Sequence, residues 1–108
     1  MLPRAQRIVA PLEIRHLIRR GKKTAHALVI CYALEADKPR AAVVVSKDVG
    51  NAPTRNRVRR RLRHILAAEL PARSLDVVVR ALPLSASASW LELRDATISV
   101  LGGPSERV

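Results

Sequence analysis

The sequence predicts a small α/β sandwich, one domain of helices packed on a short mixed sheet. Three observations carry this. Two apolar runs, 25–34 and 40–46, and a third at 75–82 have the length and β-branched content of strands. Three segments, 11–20, 52–70 and 89–101, carry apolar residues at helical spacing and are bounded by proline or glycine. Their order is helix, strand, strand, helix, strand, helix, and the 108 residues contain no linker or repeat that would divide them.

Taken in order, Pro11 suits the first turn of a helix that ends at Arg20. Glu13 lies near its positive end, Arg19 and Arg20 lie in its last turn, and Gly21 follows. Leu12, Ile14, Leu17 and Ile18 are its apolar positions. The runs 25–34 and 40–46 are joined by the turn-prone E-A-D-K-P, so an antiparallel hairpin is expected between them. A short extra strand could lie near Lys22 to His26. Loop 46–52 leads into the long helix, where Pro53 suits the first turn and Pro71 stops the run. The strand at 75–82 is reached across that helix and is expected to run parallel to 40–46. In the last helix Trp90, Leu91, Leu93, Ile98 and Leu101 are the expected apolar contacts. The domain is expected to span 1–101, with a loose tail at 102–108.

Apolar residues make up 48% of the chain, with no Phe, one Trp and one Tyr, so the core is aliphatic. The lone Cys31 sits in an apolar run and reads as a buried small hydrophobe. No run approaches 18 apolar residues and the start lacks the apolar stretch of a secretory leader, so a cytoplasmic protein is expected.

The net charge is +11, and it is unevenly placed. Residues 1–24 carry seven Lys and Arg against Glu13, and residues 47–63 carry seven against Asp48. Six of the latter, Arg55, Arg57, Arg59, Arg60, Arg61 and Arg63, fall within nine residues of the long helix. Val58, Leu62, Ile65 and Leu66 recur through the same helix within roughly 100° of one another, so one stripe can face a core. Arg57, Arg60 and His64 are expected to point away from it, with Asn56 and Arg63 flanking them. Arg55 and Arg59 fall at the margin of the stripe and Arg61 on its other side. Like charges at i, i+3 and i, i+4 repel by a few tenths of a kcal/mol each, and Glu69 is the only carboxylate in the helix. Guanidinium forks match phosphate oxygens, so a polyphosphate partner accounts for the face better than a solvated surface does.

Metal and nucleophile chemistry finds no footing. Paired-Cys zinc spacing and a phosphate-binding G-x-x-x-x-G-K-[ST] loop are both missing, and His16, His26 and His64 are scattered. The carboxylates stand singly apart from Glu35 and Asp37, whereas two-metal phosphodiester cleavage needs them clustered. No catalytic residue and no metal ligand is assigned. The residues indicate binding. A structural ribosomal protein, or a DNA regulator using the arginine helix in a major groove, shares the basic charge and stays open at this level.

The run S-K-D-V-G-N-A-P-T-R-N-R-V-R-R-R-L-R at 46–63 resembles the arginine-rich RNR motif of the bacterial ribonuclease P protein component. Leu2-Pro3 with Arg7, Glu13-Ile14 through Gly21, Asp76 to Pro83 and Ser89 to Leu93 resemble other parts of that family in the same order. The resemblance implies an αβββαβα fold of the ribosomal protein S5 domain 2-like class, with a left-handed crossover through the arginine helix. It also implies an accessory subunit. A catalytic RNA with bound Mg2+ removes the 5′ leader from precursor tRNA, and the protein binds both the catalytic RNA and the leader.

By position, the resemblance assigns Lys47, Asn51, Arg55, Asn56, Arg57, Arg59, Arg60 and Arg63 to the catalytic-RNA face. Their role there is phosphate neutralisation, since the A-form major groove is too narrow for base readout. Asn56 is expected to be a contact, because helix capping falls near Asn51 or Ala52. The leader cleft is assigned to Ile14, Ile18 and Tyr32. Where the family has aromatic residues in the first helix this chain has Ile14 and Ile18, and Asp48 stands where many members carry a second Lys.

Overall fold

The computed structural model describes residues 2–102. Its elements are α1 (Pro11–Arg20), β1 (Lys22–Ala25), β2 (Val29–Glu35), β3 (Arg40–Val44), α2 (Ala52–Glu69), β4 (Leu75–Ala81) and α3 (Trp90–Val100). The mixed α/β architecture and the αβββαβα order agree with the sequence reading. The expected tail lies outside the described residues, apart from Gly102.

The sheet order is β1-β2-β4-β3, which overturns the expected hairpin between the second and third strands. Instead β4 lies between them, antiparallel to β2 from Val29↔Ala81 to Glu35↔Leu75 and parallel to β3 from Arg40↔Asp76 to Val44↔Arg80. The reason is burial. Val77, Val78 and Val79 are apolar on both faces, and only the centre of a sheet covers both. The parallel pairing of β3 with β4 is as expected. The run 25–34 is also not one strand. Ala25 closes β1, and His26 to Leu28 form the turn into β2, with the His26 amide donating to the Val29 carbonyl at 2.8 Å and the Leu28 amide to His26 Nδ1 at 3.1 Å. The extra strand is thus present as β1, whose exposed Lys22 and Lys23 guard an open edge.

Alternation along the strands divides the core into two layers. Val29, Cys31, Ala41, Val77, Val79 and Ala81 face α2 and α3, meeting Val58, Leu62, Ile65, Leu66, Leu93, Ala96 and Val100. Tyr32, Ala42 and Val78 face α1 and meet Ile8 and Leu17, with Ile14 partly buried against them. The two layers place the arginine helix on one side of the sheet and α1 on the other.

α1 has the bounds read from the sequence. Gly21 ends it with an ordinary φ of −69°, so left-handed geometry is not what demands glycine there. Close approach does, because a Cβ at Gly21 would sit 2.5 Å from the Leu17 carbonyl oxygen and 3.0 Å from the Ala33 nitrogen. In α3, Ser89 and Glu92 form a capping box, and Leu93, Ala96, Thr97 and Val100 are its buried residues. Trp90 and Leu91, expected in the core, are instead exposed. The inward stripe runs through the small Ala96 and Thr97, whose hydroxyl is satisfied by the Leu93 carbonyl at 2.8 Å.

Candidate nucleic-acid interface

The arginine helix is launched by two local devices. Gly50 has φ 154°, in the region favouring glycine, and the chain then enters α2 through Asn51, whose side-chain oxygen accepts from the Thr54 amide at 3.0 Å. Pro53 occupies the first turn. Asn51, assigned to the RNA face, thus also acts as the cap, with its side-chain oxygen committed to the helix. Val58, Leu62, Ile65 and Leu66 are all buried, so the angular reading of the stripe is correct.

The six guanidiniums do not share one face. With Val58 at zero, Arg60 lies at about 200° and is exposed, together with Asn56 and His64. Arg59 and Arg63 lie on one flank at about 100° and 140°, and both are half-buried. Arg57 and Arg61 lie on the other flank at about 260° and 300°, beside the segment that precedes α3. There Arg57 Nη2 donates to the Ala86 carbonyl at 2.7 Å and Arg61 Nη1 to the Ala88 carbonyl at 3.2 Å. Arg57 is thus not on the fully wet face, as its angle suggested. Its side chain is long enough to fold sideways onto a neighbouring carbonyl, which angular position alone does not capture. Arg55, at about 60°, projects towards the core side, and its Nε is buried without a partner. Lys47 is exposed in the turn before Gly50.

The free cationic field lies on the Arg59 flank. Arg59 Nη1 donates to the Asn56 side-chain oxygen at 2.8 Å, which fixes both residues on the exposed side of the helix. Arg63 borders a cleft of about 190 Å³ with Leu2, Arg7, Ile8, Val9, Ile14 and β3 residues 41–43. Burial first, then the neighbouring guanidiniums of Arg7 and Arg59, lowers the Arg63 pKa from its ordinary value. Like charges held together with no paired carboxylate among the described residues suit an anion.

Arg7 is the member the residue pattern did not assign to this face. It reaches the site because the N-terminal segment lies along β3. Arg7 forms a parallel bridge with Ala41, the Ile8 amide donates to the Ala41 carbonyl at 2.8 Å, and Arg7 Nε donates to the Leu2 carbonyl at 3.0 Å. Only the excess of positive charge in residues 1–24 hinted at it.

Carboxylates are used elsewhere. Arg40 joins Asp76 of β4 at 2.9 Å and Glu13 of α1 at 2.8 Å, tying α1 to the sheet. Hydrogen bonds to Asp76, then to Glu13, raise the Arg40 pKa above its ordinary value. Among the described residues no three of His, Cys, Asp and Glu come together, so their donors do not fit a magnesium cage.

On the α1 side, Ile18 is 40% exposed, Ile14 is half-buried among Ile8, Leu17 and Tyr32, and Tyr32 is only 8% exposed. Little of Tyr32 is therefore open to the leader cleft to which the resemblance assigns it. It completes the layer beneath α1.

The Ribonuclease P family model matches residues 2–103. The chain belongs to the ribonuclease P protein family. It is 44% identical to the ribonuclease P protein component of Micrococcus luteus, over 94% of this chain and 89% of the relative. It is 42% identical to that of Acidothermus cellulolyticus, over 94% and 90%. The structure of the Staphylococcus aureus RNase P protein superposes with a TM-score of 0.83, covering 92% of this chain and 94% of that one at 23% identity, a likeness of fold. As a ribonuclease P protein component the chain is a subunit of an endoribonuclease ribonucleoprotein of tRNA 5′ processing, and its partner is RNA. Among the described residues no helix is long and apolar enough to cross a membrane.

Proposed function

We propose that this subunit binds the catalytic RNA of ribonuclease P through Arg7, Arg59, Arg60 and Arg63, and helps that RNA hold precursor tRNA by its 5′ leader. The observation that carries the reading is the Arg7–Arg63–Arg59 flank, a cluster of guanidiniums with no carboxylate paired to it among the described residues and apolar residues for a floor. Each guanidinium that meets a phosphate releases a condensed counterion, so binding is salt-dependent and indifferent to base identity. Asn56, bonded to Arg59, extends the same surface, and Lys47 adds an exposed cation in the turn before α2. Arg57 contributes those donors left after its bond to Ala86. The cut itself belongs to the RNA, with Mg2+ bound mainly by the RNA component. The complex acts in the cytoplasm.

The leader would lie over the α1 side of the sheet, where Ile18 is open and Ile14 borders the Arg63 cleft. Ile14 and Ile18 offer apolar contact only. Stacking on an aromatic ring contributes about 1–3 kcal/mol per base, which this cleft forgoes. Leader affinity is expected to rest on cations near the cleft.

The test is cleavage of precursor tRNA by a cognate catalytic RNA at low magnesium, with and without the protein. A gain in rate or substrate affinity is expected; no gain in either would overturn the reading.

A further inference from the structure

The chain contains two aromatic rings, Tyr32 and Trp90. Tyr32 is covered by α1, so Trp90, 40% exposed, is the one ring a ligand can reach. It is the first residue of α3, and its backbone is fixed by the capping box. The Glu92 amide donates to Ser89 Oγ at 3.1 Å, and the Ser89 amide donates to the Glu92 carboxylate at 2.8 Å. Leu84 at 61% and Leu91 at 63% exposure lie close to it in sequence, an apolar patch on a strongly cationic protein.

The patch borders the arginine helix. Arg57 and Arg61 hold the carbonyls of Ala86 and Ala88, the second only two residues before Trp90. Each guanidinium uses one of its five N–H donors there, and although the Arg57 Nε is buried as well, both keep Nη donors for an anion. Of the carboxylates near this segment, Glu92 accepts from the Ser89 amide, Asp48 accepts from the Ser46 hydroxyl, and Asp95 lies 3.6 Å from Arg94. A ring just beyond a segment held by two arginines fits a nucleotide, whose base is flat and whose phosphate is anionic. A second copy of the chain fits poorly, since it would bring another net charge of +11.

We propose that Trp90 is a base-stacking residue, taking one unpaired nucleobase of the catalytic RNA while Arg61, helped by the few donors Arg57 has left, holds the adjoining phosphate. This rests on the reading of the arginine helix as RNA-facing and extends that interface onto α3.

Because Trp90 is the only tryptophan, its emission reports the contact directly. Titrating the full chain with catalytic RNA should quench that emission over the concentrations at which binding is seen by filter retention, and a fully paired RNA duplex should not. Trp90→Leu keeps apolar bulk and removes the ring. It should bind the catalytic RNA about 5- to 150-fold more weakly with an unchanged salt slope and a native-like melt, while Trp90→Phe retains most of the affinity. Unchanged emission on binding, equal quenching by duplex, or wild-type affinity in Trp90→Leu overturns the stacking and leaves the arginine assignment standing. Failure of the wild-type protein to bind the catalytic RNA removes both. An emission change with protein concentration alone would give the patch to a second copy and overturn the proposal.

Discussion

The division of the six arginines can be tested by comparing Arg57→Ala with the pair Arg60→Ala and Arg63→Ala. Arg60 is exposed, and Arg63 sits among like charges with no paired carboxylate among the described residues, so removing both takes away about two phosphate contacts and no bond within the described residues. Each contact contributes about 0.7–0.9 to the slope of log affinity against log salt, so the pair should flatten it by about 1.4–1.8. Between 50 and 200 mM salt the wild type should then lose roughly 7- to 12-fold more affinity than the double variant. The melting temperature of the double variant should barely move. Arg57→Ala should behave in the opposite way. It removes the 2.7 Å bond to the Ala86 carbonyl. A bond from a charged donor contributes about 1.5–3 kcal/mol, and partial exposure trims that to about 1. In a domain of this size that is a fall of roughly 4–8 °C, with a slope change of less than one contact. Filter binding across a salt series, alongside thermal melts of the free variants, measures both. An Arg57→Ala protein that melts like wild type and flattens the slope by a full contact would refute the assignment of Arg57 to the α3 junction.

Two further outcomes follow from the core. Leu62 is fully buried at the centre of the arginine helix, so Leu62→Ala should cost about 2–5 kcal/mol in denaturant unfolding, and a cost below about 0.5 would contradict the packing. Burial pushes the Cys31 thiol from 9.0 up to about 11, against a smaller opposing effect of Arg73. Folding thus favours the neutral thiol. That contribution is whole below pH 9 and is lost as pH rises through about 11, a fall of about 2–3 kcal/mol that Cys31→Ala should not show. Parallel pH profiles of the two proteins would refute it.

How far the sequence was legible depended on whether a signal was local. The arginine helix was legible because its caps, prolines and apolar stripe all lie within twenty residues, and the structure repeats them. α1 was legible for the same reason. Strand pairing was not. The link E-A-D-K-P suits a hairpin, yet β4 takes the place between β2 and β3 because it is apolar on both faces, and Arg40 seals β3 to β4 through Asp76, 36 residues away. The site shows the same limit. Angles on a helical wheel found the buried apolar stripe but could not see the carbonyls of Ala86 and Ala88, which arrive from another part of the chain and draw Arg57 aside. They also could not bring Arg7 beside Arg63, since that needs the N-terminal segment to lie along β3. Trp90 and Tyr32 exchanged expected places because size and aromaticity say what a residue can bury, not which side of its element meets the core.

The separation of the arginines also explains how one helix tolerates so much like charge. Repulsion between neighbours on a helix is worth a few tenths of a kcal/mol per pair, and α2 contains several such pairs. Two of its guanidiniums are drawn off to backbone carbonyls on the α3 side, and a third is turned to Asn56. Arg60 is left open to solvent, and Arg63 is left where burial and then the guanidiniums of Arg7 and Arg59 lower its pKa. An anion placed there relieves repulsion and supplies attraction in the same step. Any ligand that binds the folded chain alone also stabilises it, so the charge the free domain holds at a cost becomes a source of affinity once phosphate arrives. The folded charge pattern is therefore incomplete by itself, and polyanionic RNA is the partner that completes it.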